Sequence, residues 1–207
     1  MITNKNELRF YIVSDRIMNG FPVKRNLYQI LKEAISPKRD ILRFLRLMRR
    51  IQYYSNQKGA INYIITALTK IRYDKVSQKL GFSIDYSVFG YGLVIPHYGT
   101  IVVGGPNRIG NFAVLHTSTC IAGGGKTIGE GLYLSSGSQI VGRLIIGDNV
   151  TIASHSLVIH DCKSNTLQVG VPAVEKRINY DAWYLRDGQE YTERVELVRQ
   201  LKTLYGL

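Results

Sequence analysis

From Val103 onward the chain sets an aliphatic residue at every sixth position. Ile128, Leu134, Ile140, Ile146, Ile152 and Val158 keep this step without a gap, and Val103, Ile109, Leu115 and Ile121 keep it upstream. One extra residue among Gly123–Thr127 separates the two phases. Four residues after these aliphatics stand Ala113, Thr119, Leu132, Ser138, Leu144, Val150 and Ser156, which are small or aliphatic and never charged. Six residues make one short strand and one turn. Three such steps close a triangular coil with the aliphatics stacked inside it. The pattern predicts a parallel β-helix over residues 81–177. A sandwich, with turns every ~8–12 residues, has no reason to keep a six-residue step.

Residues 1–80 have another texture, with few glycines and a helical period. ILRFLRLMRRIQYY (41–54) places Ile41, Phe44, Leu45, Met48 and Ile51 at 3–4 spacing. Arg43, Arg46 and Arg50 recur on another face, with Arg49 beside them. Ser36–Pro37 offers a start for this helix, with proline in the first turn. A second helical run covers 61–80. Residues 178–207 are polar and of mixed charge, and predict a C-terminal helical tail. An open solenoid needs caps; the helical region is expected over one end and the tail beyond the other. The expected class is mainly β, a β-helix between an N-terminal α-helical region (1–80) and the tail.

The net charge of +12 sharpens this division. Residues 1–80 hold 17 Lys/Arg and 5 Asp/Glu, whereas 81–180 hold 6 and 5, and 181–207 hold 4 and 5. The excess therefore lies in the helical region and marks a boundary near residue 80. The arginine face of 41–54 fits a solvated surface. It also fits peripheral membrane contact, with arginines at the headgroups and Phe44, Leu45 and Met48 below them. No nucleic-acid recognition motif accompanies it, and none is expected to bind. No run of ~18 apolar residues predicts a membrane span, and MITNKNELRF has no apolar signal core. Cys120 and Cys162 show no metal-type spacing, so a cytoplasmic protein without a metal is expected.

IPHYGTIVVGG (95–105) carries the candidate chemistry. His97 stands at the lip of a strand, and an imidazole with a reference pKa near ~6.5 suits a general base at neutral pH. A structural histidine bonded to a carbonyl is the alternative. His116 follows nineteen residues later, about one coil turn, and either orients an acceptor, tunes His97 or fills the coil surface. His155 and His160 read as surface residues of later coils. CIAGGGKTIG imitates the end of a phosphate-binding loop. That motif needs glycine where Cys120 stands and a helix after the lysine; here Thr127 re-enters the repeat, and nucleotide triphosphate binding is rejected.

GYGLVIPHYGTIVVG (90–104), the ungapped repeat from 131 to 161 and GVPA (170–173) resemble the serine acetyltransferase family of hexapeptide-repeat acyltransferases. The basic helix ending in RRIQYY resembles that family's capsular and exopolysaccharide branch. The resemblance implies left-handed coils, a homotrimer with sites between adjacent solenoids, and acetyl-CoA as acyl donor. It implies His97 as base, with His116 as a second catalytic candidate. Coenzyme contacts are implied at Ser136, Ala153 and Ser154, at Pro172 by the adenine, and at Arg143, Lys176 and Arg177 by the phosphates, with Gly124 and Lys126 of the glycine loop beside the pantetheine. The sequence departs from the family in two places. Phe82 stands where the family has its dyad carboxylate, with Asp85 off register, and the loop GGGKTIG lacks a second histidine. Together with the branch, these point to a sugar hydroxyl, free or lipid-linked, in surface-polysaccharide synthesis. L-serine, a sugar amine and a non-catalytic scaffold are the alternatives.

Overall fold

The computed structural model describes residues 2–24 and 26–207. Four helices come first: α1 (Lys5–Met18), α2 (Leu27–Ile35), α3 (Arg39–Tyr54) and α4 (Ala60–Leu80). Thirteen short strands follow, then α5 (Trp183–Arg186) and α6 (Gln189–Leu204). Helix α3 begins two residues after the expected proline. Ser36 ends α2 instead, and its hydroxyl accepts from the Lys38 amide.

The strands wind into about five coils with three faces. One face is β1 (Phe82–Ile84), β2 (Ile101–Val103), β5 (Thr119–Ile121), β8 (Gln139–Ile140) and β11 (Leu157–Val158), all parallel. The second is β3 (Arg108–Ile109), β6 (Thr127–Ile128) and β9 (Ile145–Ile146). The third is β4 (Val114–Leu115), β7 (Tyr133–Leu134), β10 (Thr151–Ile152) and β12 (Leu167–Gly170), closed by antiparallel β13 (Ala173–Arg177). Every aliphatic of the six-residue ladder is buried, as are the small residues four positions on. Each buried rung contributes roughly 1.5–3 kcal/mol of transfer free energy. The extra residue falls where expected. Arg108 pairs with Thr127 nineteen positions on, Thr127 with Ile145 eighteen on, and Gly124 and Gly125 take up the difference at positive φ.

The helical region docks through charge as well as apolar surface. Phe44, Leu45 and Met48 are fully buried in the main core, so the membrane reading of 41–54 is corrected: the face meant for lipid packs on α4 and the first coil. Arg49 does not join the solvated arginines either. Its Nε and Nη2 donate to the two carboxylate oxygens of Asp15 at 2.8 and 3.0 Å, and its Nη1 donates to the Phe89 carbonyl at 2.8 Å. Asp15 Oδ1 also accepts the Gly92 and Leu93 amides at 2.9 and 3.0 Å. Just past the end of α1, Asn19 donates to the Leu93 carbonyl and accepts the Ile95 amide. Gly92 permits this approach: it sits at φ +75°, and a Cβ there would lie 2.7 Å from the Phe112 ring.

The tail does not cap the far end. Its helix α5 lies on the third face, where Trp183 Nε1 donates to the Phe112 carbonyl at 2.9 Å, and α6 runs back against α1. Buried aromatics outweigh the polar surface that suggested an end cap: Trp183 and Tyr184 pack with Phe112, Tyr91 and Phe10.

Replacing Arg49 with Met is expected to cost about 3–5 kcal/mol in chemical denaturation, because Asp15 is left buried without its counter-charge. The double change Asp15→Asn/Arg49→Met should cost less than Arg49→Met alone. A single-variant loss under about 1 kcal/mol would mean that this pair does not hold the helices to the coils.

Candidate active site

The corner between the third and first faces carries the candidate chemistry. Val94 pairs with Val114 and Ile101 with Thr119, so six residues turn this corner in the first coil where four suffice in the next. The two additional residues push Pro96–Gly99 outward, and His97 is exposed on that bulge. Both flanks are fixed. Asn19 holds Ile95 before the bulge, and the Leu80 carbonyl at the end of α4 accepts the Gly99 amide at 2.9 Å after it. The loop is thus built to present an imidazole from a rigid frame.

His116 turns the same corner one coil on. It is half-buried, and its Nε2 lies 2.9 Å from the Tyr133 hydroxyl, with ring centroids 5.1 Å apart. Burial pushes the His116 pKa down and the neighbouring His97 adds to this, while Asp187 pulls it up. Burial and then Asp187 push the Tyr133 phenol up, so it stays protonated at neutral pH.

Below the histidines the corner continues through Ser136, Ala153 and Ser154 to the GVPA turn, where the Gly170 amide donates to the Ser156 hydroxyl at 3.0 Å. Six expected site residues therefore share one column: His97, His116, Ser136, Ala153, Ser154 and Pro172. The others do not join it within the chain. Gly124 and Arg143 turn the next corner, between the first and second faces. Lys176 and Arg177 run away along β13, with Arg177 opposite Leu167. Lys126 is corrected outright. Its side chain is buried, and its Nζ donates to the Ala122 and Gly123 carbonyls at 2.7 and 2.9 Å. It seals the enlarged glycine turn from inside and is not presented to a phosphate. His160 is likewise structural: its two ring nitrogens bond the Asp161 and Ala173 carbonyls. His155 stacks on Gly137 of the preceding coil, where a Cβ would meet its ring at 2.5 Å.

Phe82, at the position of the family's carboxylate, is buried against Phe44. Asp85 is engaged with Ser87, not with His97. Among the described residues, no cluster of His, Cys, Asp or Glu is arranged to hold a metal. A cavity of about 360 Å³ between α1, α3 and the first coil is lined by Tyr11, Gln52, Tyr86 and Arg108 and includes neither histidine. The sequence reading missed Tyr133, Arg186 and Asp187. One signal was available: the single Trp of the chain lies in the otherwise polar tail, at the head of WYLRD.

No family model matches the chain. It is 28% identical over 167 residues to a serine acetyltransferase of Helicobacter pylori, covering 77% of this chain and 91% of that one. A serine acetyltransferase of Synechococcus elongatus is 28% identical over 90 residues, and the match spans only 37% of that protein. Among solved structures, Neisseria gonorrhoeae serine acetyltransferase superposes with a TM-score of 0.54 at 19% identity, covering 89% of this chain and 83% of that chain. A serine acetyltransferase in complex with CoA gives 0.52 at 18%, covering 84% and 85%. In sequence the chain is similar to serine acetyltransferases, and in architecture it is similar to their solved structures.

Proposed function

We propose that the chain is an acetyl-CoA-dependent O-acetyltransferase with His97 as general base. The observation that carries this reading is the column itself: an exposed imidazole on a fixed bulge, followed along one corner by residues too small to block an extended thiol arm. His97 takes the acceptor's hydroxyl proton as oxygen bonds to the thioester carbon. It returns that proton to the thiolate sulfur as the carbon–sulfur bond breaks, and no covalent enzyme intermediate is needed. The relatives' names, and the CoA complex of one structural neighbour, support the same donor and reaction.

For the acceptor, L-serine fits better than a sugar. The sugar reading leaned on two departures from the family and on a basic helix resembling the polysaccharide branch, and in this fold Arg49 of that helix is a buried structural tie. The curated relatives are serine acetyltransferases in both the long and the short matches. Phe82 leaves the imidazole without the family's carboxylate, so whatever orients His97 comes from elsewhere in the molecule.

His97→Ala should lower kcat by about 10²–10⁴-fold, with CoA binding retained in calorimetry. Unchanged turnover would remove the base assignment, and absence of CoA binding by the wild type would return the chain to the scaffold reading. With free thiol followed spectroscopically, L-serine should exceed any sugar or amino sugar in a panel; a sugar as the best acceptor would overturn the choice. Ala153→Trp should raise KM for acetyl-CoA about tenfold or more by filling the column, with the KM for the acceptor little changed.

A further inference from the structure

Helix α2 stands on the molecule inside out. Of its residues only Glu33 is buried, while Leu27 is 73%, Tyr28 70%, Leu31 60% and Ile35 85% exposed. At ~3.6 residues per turn these four and Ile30 share one arc of about 160°. Gln29 and Glu33 occupy the opposite side, and that polar side is the one turned to the protein. There Glu33 pairs with Arg16 of α1 at 2.6 Å, and Arg16 also donates to the Pro22 carbonyl at 3.1 Å. A capping box between Asn26 and Gln29 fixes the first turn, and Arg39 donates to the Ala34 carbonyl near the last at 3.1 Å. The helix is thus anchored by polar groups and offers its apolar arc to the surroundings. Helix α3 does the reverse, with Phe44, Leu45 and Met48 in the core.

Beside the arc lies a groove of about 580 Å³ between α2 and α6, lined by Lys32, Ile35, Lys38, Tyr191 and Arg194 among others. Its lining holds three cations and, among the described residues, no Asp or Glu. Burial pushes the Lys38 pKa down, and Arg194 adds to this. Residues 20–39 hold five Lys/Arg and one Asp/Glu, and that one is Glu33, turned inward.

We propose that α2 and this groove form a docking surface for an anionic phospholipid bilayer. The apolar arc enters the boundary between headgroups and acyl chains, and Lys32, Lys38 and Arg194 meet the headgroup phosphates. A second copy of the chain is the other occupant that an exposed apolar helix invites. Docked face to face, it would bring the same cations to a groove whose lining offers no acid to meet them. An anionic bilayer supplies apolar surface and negative charge together.

The surface shares no residue with the histidine column, and its test needs no turnover. The full chain is floated with vesicles of phosphatidylcholine, alone or with about one third phosphatidylglycerol. The mixed vesicles should bind about tenfold or more tightly than the neutral ones, and less tightly as salt rises. Leu31→Ser/Ile35→Ser, at exposed positions, should weaken vesicle binding about tenfold or more. Lys32→Ser/Lys38→Ser should bring binding to the anionic vesicles down to the neutral level. Both variants should keep the circular dichroism and the particle mass of the wild type. No binding by the wild type, equal binding to the two kinds of vesicle, or full binding by either variant would overturn the proposal. So would a fall in particle mass for Leu31→Ser/Ile35→Ser in sedimentation equilibrium, which would put a second copy on the apolar arc.

Discussion

The buried pair between Asp15 and Arg49 ties together three parts of the molecule that have no other reason to meet in one geometry. Arg49 comes from α3, Asp15 from α1; beyond each other and Gln52, they hydrogen-bond the backbone of Phe89, Gly90, Gly92 and Leu93 in the first coil. A charge pair of this kind is costly to bury, and it is tolerable only where nearly every donor and acceptor is used. Here the unused capacity is spent on main-chain groups at the open end of a solenoid, which would otherwise face an apolar cap unsatisfied. Apolar packing of Phe44, Leu45 and Met48 supplies attraction; the ion pair supplies register.

Register matters because the bulge that carries His97 begins a few residues later. Asn19, one helical turn after Asp15, grips Leu93 and Ile95, and α4 grips Gly99. The bulge is longer than the corners beneath it, and such a loop would wander if its ends were free. The N-terminal helices thus do more than cover an end. They set where one imidazole stands relative to the corner below it.

Much of the architecture was legible in the sequence because a six-residue step is a strong periodic signal tied to a single geometry. The ladder, the extra residue near Gly124 and the helices at 41–54 and 61–80 all follow from spacing. What spacing does not reveal is which member of a polar set turns inward. Arg49 differs from Arg43, Arg46 and Arg50 by its angle about the helix axis, and that angle acquires meaning only through Asp15, 34 positions away. Lys126 was misjudged for a similar reason: a lysine in a glycine loop suggests a contact with the coenzyme arm, but an enlarged turn has carbonyls of its own to satisfy. The tail was the largest surprise, since its charged residues conceal Trp183 and Tyr184 at its start.

The closing hairpin has a consequence for how these molecules keep apart. A stack of parallel strands ends in unpaired main-chain groups, an invitation for a second stack to join head to tail and grow into a fibre. On the third face that invitation is withdrawn by β13, which reverses direction and offers Glu175, Lys176 and Arg177 as its outermost row. A neighbour seeking to extend the sheet there meets a row of charged side chains on a strand running the wrong way.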